Sequence, residues 1–100
     1  MERGVRLAVD KAKLADFCRR EGIRELSFFG SVLRDDFTEG SDVDVLVEFD
    51  SPKSLLDHVR IQRELGDLLG RRVDLVTKRA LSGRIRDHIL STKVIEYVKT

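Results

Sequence analysis

Two short motifs in the chain carry residue types that can do chemistry. Gly30 and Ser31 follow an apolar run, and glycine at such a point lets a phosphate approach backbone N–H groups closely, while the serine hydroxyl donates a further hydrogen bond. After ten intervening residues come Asp42 and Asp44, at the start of a second apolar run. Carboxylates are favoured ligands of hard divalent cations. A site that combines the two motifs is a candidate for chemistry on a nucleotide.

The two aspartates need a counter-charge if they share a strand. Residues two apart project from the same face of a strand, so Asp42 and Asp44 would lie side by side. At ~5 Å and an effective dielectric constant of ~20, their repulsion is roughly 3 kcal/mol. Paired metal ions are the usual arrangement for phosphoryl and nucleotidyl transfer. A lone Asp-x-Asp is nevertheless more often a solvated strand end, so the motif needs support from elsewhere in the chain.

Two further residues could complete such a site. Arg34 follows Ser31 by three positions, on the same side of a predicted helical turn, where it could contact a phosphate oxygen. Asp74 lies in a third apolar run and faces away from its neighbours Val73 and Leu75. If that run neighbours the strand of the aspartate pair, Asp74 would bind one metal and help to deprotonate an acceptor hydroxyl. The alternative is a solvent-facing aspartate on an edge strand.

The hydrophobic pattern predicts the elements that position these residues. Strands are expected over Leu26–Phe29, Asp42–Phe49 and Val73–Thr77, and helices over Lys11–Glu21, over Leu55–Leu69 and from Ser82 or Gly83 onward. The tail from residue 94 to 98 is apolar enough to be ordered, as a helix extension or a strand. These elements predict a small α/β or α+β domain, with a mixed, mostly three-stranded sheet and helices mainly on one face. Whether the third strand runs parallel to the second stays open.

Helix ends and apolar stripes follow from the same pattern. Asp10 and Ser54 are placed to cap the first two helices, and Gly22 and Gly70 to end them. The first helix has an apolar stripe at helical spacing, which gives Cys18 a packing role. The second has a broad apolar side: Leu55, Leu56, Val59, Leu65, Leu68 and Leu69. Arg71 and Arg72, between that helix and the third strand, are expected to be solvated, although contact with a nucleotide or an acidic partner is the alternative.

Length and composition limit the function further. One hundred residues predict a single domain over 1–100. The net charge of +1 argues against a protein whose main task is to coat nucleic acid. A single cysteine excludes an internal disulfide, and no Cys/His group has zinc spacing. With neither a membrane-length apolar run nor a secretory signal in the sequence, we expect a cytoplasmic protein.

The combined pattern resembles a known family. Gly-Ser after a strand, Asp-x-Asp on the next strand, then a helix and an aspartate on a third strand are similar to the DNA polymerase β-like nucleotidyltransferase superfamily, above all to its minimal nucleotidyltransferase (MNT) domains. The likeness runs from about Leu26 to Ile89. Many members have Ala-Arg-Gly at positions 33–35, where this chain has Leu33-Arg34-Asp35. Asp35 adds negative charge beside the phosphate turn and puts its geometry in question.

The resemblance implies a reaction and a set of roles. Asp42, Asp44 and Asp74 would be catalytic and would hold a pair of Mg²⁺ ions, while Gly30, Ser31 and Arg34 would bind the triphosphate of ATP. A nucleoside monophosphate would be transferred and pyrophosphate released. MNT proteins of this kind are often encoded beside HEPN-domain ribonuclease toxins and neutralise them, in some pairs by adenylylating a tyrosine of the toxin.

Three functions stay open at this point. The first is Mg²⁺-dependent transfer of AMP from ATP to a hydroxyl of a HEPN toxin, which makes the chain an antitoxin. The second is a non-catalytic antitoxin that neutralises its partner by occlusion, as the Asp35 departure and the lack of a lid suggest. The third, adenylylation of an RNA 3′ end, is disfavoured by the near-neutral charge. The apolar tail also leaves a homo-oligomer open.

Overall fold

Four strands form a single mixed sheet in the computed structural model, which describes residues 7–100. In chain order they are β1 (Ile23–Phe29), β2 (Val43–Phe49), β3 (Val73–Thr77) and β4 (Val94–Val98), and in space they lie in the order β3-β2-β1-β4. β1 is antiparallel to β2 and to β4, whereas β2 and β3 are parallel. The predicted fold class is confirmed, with a parallel third strand, but the sheet has four strands rather than three.

The additional strand is the apolar tail. β4 pairs with the edge of β1 that β2 leaves free, with Leu26 opposite Tyr97 and Phe28 opposite Val94. Pairing satisfies backbone groups of β1 that would otherwise form an open edge. The helix-extension alternative fails at Lys93, whose extended backbone (φ −59°, ψ 152°) ends the preceding helix.

Three helices connect and cover the strands: α1 (Lys11–Glu21), α2 (Leu55–Leu69) and α3 (Gly83–Thr92). The predicted caps are present, since the side chain of Asp10 accepts a hydrogen bond from the N–H of Lys13 and that of Ser54 accepts one from Asp57. α1 and α2 end at the predicted glycines. None of the helices in residues 7–100 is long and apolar enough to cross a bilayer. Residues 1–6, where the absence of a secretory signal was inferred, lie outside the described residues.

The main core lies between one face of the sheet and the helices α1 and α2. Val43, Val45 and Val47 of β2 point into it and are almost fully buried, as their alternation predicts. Cys18 is also buried there, and burial raises the pKa of its thiol to about 12, which confirms its packing role. Asp44, Leu46 and Glu48 belong to the opposite face, which is called the open face below.

The predicted apolar side of α2 is partly wrong. Leu55, Leu56 and Val59 are exposed, whereas Ile61 and Leu65 are the residues that are fully buried. At 3.6 residues per turn, Leu56 and Val59 lie roughly 140° and 160° around the helix from Ile61, so one face cannot bury all of them. The first two turns of α2 therefore present apolar side chains to solvent.

A half-buried ion pair joins α1 to α2. The carboxylate of Glu21, only 9% exposed, accepts two hydrogen bonds from the Arg60 guanidinium, at 2.9 and 3.2 Å. The hydrogen bond from Arg60 holds the pKa of Glu21 below its ordinary value, against the opposing effect of burial. Because the folded-state pKa is lowered, ionised Glu21 stabilises the fold above its unfolded pKa, and this stabilisation is lost as the pH falls through the folded-state pKa.

Glu21→Gln should therefore lower the free energy of unfolding at pH 7 by about 1–3 kcal/mol. The difference from wild type should shrink as the pH falls through the folded-state pKa of Glu21, because the wild-type side chain then becomes protonated as well. Urea unfolding over a series of pH values measures it. Glu64→Gln is the matched control, since Glu64 also contacts Arg60 (3.4 Å) but is more exposed, and we expect it to cost about 0.5 kcal/mol or less. Equal losses in the two variants would contradict a special role for the Glu21 pair.

Candidate active site

The phosphate-type turn begins where β1 ends. Residues Gly30–Leu33 form a short 3₁₀ turn, and Gly30 has φ +76°. A Cβ atom placed on Gly30 would lie 2.4 Å from Oδ2 of Asp44, closer than real Cβ atoms approach. Gly30 is therefore required twice, for its left-handed backbone and for the room that it leaves to the carboxylate.

Asp44 and Asp74 lie side by side on the open face. They are partners in the parallel register of β2 and β3, so their side chains leave the sheet in the same direction. Burial, followed by the charges of Asp74 and Asp42, raises the pKa of Asp44. Arg34 and a hydrogen bond from the backbone N–H of Ser31 oppose that rise. The predicted convergence of Asp44 and Asp74 thus follows from strand pairing, and the raised pKa of Asp44 reflects its burial first and the charge of Asp74 second.

Asp42 sits just before β2 and makes a different contact. Its Oδ1 accepts a hydrogen bond from Nε of Arg72 at 3.0 Å, so Arg72 neutralises part of its charge. Its backbone carbonyl accepts a hydrogen bond from the hydroxyl of Ser31 at 3.3 Å, which ties the turn to the start of β2. The two Ser31 groups that were predicted to bind phosphate therefore contact the aspartates in this structure, the N–H at Asp44 and the hydroxyl at Asp42.

The three carboxylates suit divalent metal in type but do not enclose an ion as they stand. Among the described residues, no group of three or more Asp, Glu, His or Cys side chains is arranged to hold one. Asp44 and Asp74 repel each other, and each offers hard oxygen ligands, which is the environment that Mg²⁺ favours. Asp42 could join them by exchanging Arg72 for a metal ion. The donor set fits the implied Mg²⁺, and the assignment of these ligands stays a prediction.

Arg34 is placed differently from the prediction. It is extended (φ −106°, ψ 158°), so the helical turn ends at Leu33 and does not include Arg34. The N–H of Arg34 donates to the carbonyl of Ser31 and closes the turn, while its side chain pairs with Asp36 at 3.3 Å. Asp35 lies after the turn, which forms in spite of the missing glycine. Arg34 is near enough to Asp44 to lower its pKa, so it remains within reach of the site.

The role of Arg71 was missed in the sequence. Its guanidinium lies 4.5 Å from the centre of the Phe37 ring and donates to the backbone carbonyls of Thr38 and Ser41. Arg71 thereby holds the loop between the turn and β2 against the start of β3. The expectation of plain solvation was wrong, because a charged residue beside Gly70 gives no sign of which carbonyls it will reach. The Arg-Arg pair before an aspartate strand was the only available signal.

Comparison with known proteins identifies the family and the enzyme class. A family model described as a nucleotidyltransferase domain matches residues 11–95. The chain belongs to this nucleotidyltransferase family. The predicted family and enzyme class are thereby confirmed.

Curated relatives cover most of the chain. MJ0435 of Methanocaldococcus jannaschii, whose assignment as a protein adenylyltransferase is provisional, is 40% identical over 84% of this chain and 90% of its own length. The protein adenylyltransferase MntA of Thermococcus cleftensis is 45% identical over 71% of this chain and 72% of its own.

Solved structures share the fold. A protein described as a minimal nucleotidyltransferase superposes with a TM-score of 0.71 at 39% identity, covering 84% of this chain and 86% of its own. Two more distant structures, at 18 and 19% identity, support the fold alone. One is a toxin–antitoxin complex with AMP-PNP, with a TM-score of 0.75 over 92% of this chain and 76% of its own. The other is a tri-AMPylated Shewanella oneidensis HEPN toxin with its MNT antitoxin, with a TM-score of 0.67 over 89% of this chain and 70% of its own.

Proposed function

We propose that the chain transfers AMP from ATP to a hydroxyl group, on a tyrosine, of a HEPN-domain toxin and so acts as its antitoxin. The observation that carries the proposal is the contact between the Gly30 turn and Asp44, with Asp74 beside it. It brings a phosphate-type turn and two repelling carboxylates to one point. The protein adenylyltransferases among the relatives support the adenylyl group, and the tri-AMPylated HEPN toxin, a partner of a structurally similar chain, supports the acceptor.

Each residue of the site has its own role in the proposed reaction. Backbone groups of Gly30 and Ser31 receive the triphosphate, and Arg34 exchanges Asp36 for a phosphate oxygen. Asp42, Asp44 and Asp74 would hold Mg²⁺ ions, which when bound offset the charge of the phosphates. These contacts orient the α-phosphate towards the acceptor, which is where most of the rate enhancement in such reactions arises.

The transfer exchanges one bond of the α-phosphorus for another. A bond forms between the acceptor oxygen and the α-phosphorus, and the bond from that phosphorus to the oxygen bridging to the β-phosphate breaks. Pyrophosphate leaves with the electron pair. The proton of the acceptor hydroxyl passes to a carboxylate oxygen of Asp74, which borders the site on β3. Asp74 is the more exposed of the paired aspartates, so it can face an acceptor that arrives from solvent.

Label transfer tests the proposal. Purified chain, Mg²⁺, ATP labelled at the α-phosphate and the HEPN-domain protein encoded beside its gene should give labelled HEPN protein, whereas γ-labelled ATP should not. Asp74→Asn should abolish the signal, and Asp67→Asn, a change of an exposed aspartate on α2, should leave it unchanged. A partner that binds and is neutralised without label would overturn the proposal in favour of occlusion.

A further inference from the structure

We infer that the end of the sheet opposite the aspartates is a docking surface for the acceptor protein, which engages it with an acidic, amphipathic segment. The surface has two parts: an apolar ridge, made of Leu55, Leu56 and Val59 on α2, and a basic cleft beside it. The inference rests on the proposed function, because the docked protein is taken to be the molecule that receives the adenylyl group.

Within residues 7–100, the apolar ridge is left exposed to solvent. Leu55 is 77% exposed, Leu56 83% and Val59 49%, in a chain that buries its other α2 apolar residues fully or in part. The three positions are spaced i, i+1 and i+4, so they form one contiguous patch on the first two turns of the helix. Three large apolar side chains together on the exposed side of a helix are typical of an interaction surface rather than of scattered surface residues.

The basic cleft adjoins the ridge. It has a volume of about 650 Å³ and lies at the C-terminal ends of β2 and β3, between the segment that leads into α2 and the short turn after β3. Pro52, Lys53 and His58 line it on the side of α2, and Lys78 and Arg79 line it on the side of β3. Ridge and cleft together can hold a segment with an apolar side and a polar side.

The charges of the cleft determine which charge the polar side of the docked segment should carry. The two acids in the lining are already paired, Glu48 with Lys78 at 3.8 Å and Asp50 with Lys99 at 2.9 Å. By contrast, Lys53 and Arg79 have no ion pair within residues 7–100, and Lys53 lies only over the ring of Phe49. The cleft therefore presents unpaired positive charge. An acidic segment is complementary to it, and its association should be faster at low salt.

The distance to the catalytic carboxylates defines the size of the partner. The cleft begins at the end of β2, and Asp44 lies at the start of that strand. At about 3.3 Å per residue, the intervening strand spans ~16 Å. A partner docked on the ridge must therefore reach about that far to bring its hydroxyl to Asp44 and Asp74. A folded protein can do so, and a peptide would need at least about five extended residues between its docking segment and its tyrosine.

The ridge also favours protein over nucleic acid. Exposed leucines gain nothing from a phosphate backbone, which is recognised through charge and hydrogen bonds. They gain from the apolar face of an amphipathic helix, which packs against such a patch with anchors at helical spacing.

Binding measurements with the purified HEPN-domain protein test the surface. Leu55→Ser/Leu56→Ser should weaken binding at least 30-fold, and Lys53→Glu/Arg79→Glu should weaken it at least 10-fold and reduce its dependence on salt. Ile85→Ser is the matched control, because Ile85 is 67% exposed but lies on α3, and it should bind as wild type. Asp74→Asn should also bind as wild type.

The outcomes separate this inference from the proposed chemistry. If the ridge variant loses binding but wild type transfers no label, the docking surface stands and the adenylyl transfer fails. If the ridge variant transfers label to the partner as efficiently as wild type at limiting partner concentration, the chemistry stands and the docking surface is wrong. The inference would be overturned if the ridge variant bound the partner with unchanged affinity, or if wild type did not bind it. It would also be overturned if the ridge variant lost only self-association, or only retention of RNA.

Discussion

Asp44→Asn should abolish adenylyl transfer, by about 10³-fold or more, while the protein unfolds at the same or a higher temperature than wild type. Activity falls because Asp44 lies between the Gly30 turn and Asp74. A ligand that binds both the turn and the carboxylates must therefore contact Asp44. Stability does not fall, because burial and the neighbouring carboxylates already disfavour its charge. Loss of function with a gain in stability is the signature expected of a strained site residue.

The pH dependence of this effect has a definite sign. The folded-state pKa of Asp44 is raised, so its ionised form lowers stability at neutral pH, and the penalty disappears as the pH falls below the folded-state pKa. The difference in unfolding temperature between Asp44→Asn and wild type should thus be present at pH 7 without metal and vanish at about pH 3.

Metal provides a second readout for the same variant. Added Mg²⁺ should raise the unfolding temperature of wild type, and EDTA should reverse it, whereas Asp44→Asn should respond to neither. Asp67→Asn serves as the control and should behave as wild type throughout. A variant that is less stable than wild type at pH 7 in EDTA would show that Asp44 is a structural residue.

Local signals in the sequence were sufficient for most elements. The caps Asp10 and Ser54 and the glycines that follow α1 and α2 specify helix ends through contacts within a few residues, and the bounds of both helices agree with the prediction. Pairing between elements that are far apart in the sequence could not be predicted from local signals. The tail could pair with β1 or extend a helix with equal apolar content, and the difference depends on which edge of β1 is free.

The same distinction between local and non-local signals applies to the site. The faces of Asp44 and Asp74 follow from strand alternation, so their convergence needed only the pairing of β2 with β3. The partner of Asp42, by contrast, comes from Arg72 at the other end of a helical connection. A charged pair of this kind depends on where two loops meet, which no local pattern encodes. The exposed leucines of α2 were misassigned because apolar content was counted without regard to helix face.

Gly30→Ala should be the most damaging single change outside the carboxylates. The left-handed backbone of Gly30 costs an alanine about 1–2 kcal/mol. The new Cβ would also lie 2.4 Å from Oδ2 of Asp44, so either the turn or the carboxylate must move. We expect a loss of about 2–4 kcal/mol in the free energy of unfolding and at least a ~10²-fold loss in transfer, because the turn and the carboxylate would no longer share one position.

Variants of two other glycines separate the effect of backbone strain from that of the steric clash. Gly70→Ala meets the same backbone strain, with φ +68°, but nothing lies within 4 Å, so we expect only the strain term and full activity. Gly40→Ala meets neither strain nor contact and should be close to neutral. Chemical denaturation and the label-transfer assay on the three variants measure these terms.

The contact itself can be isolated with a double variant. In Gly30→Ala/Asp44→Ala the carboxylate is gone, and the nearest remaining atom of residue 44 is Cβ, at an ordinary 3.6 Å. The double variant should therefore recover the stability that the clash removed, although not the strain term, and it should remain inactive. If its stability instead equals the sum of the effects of the two single variants, Gly30 and Asp44 are not in contact in the folded protein, and the turn and the carboxylates do not form one site.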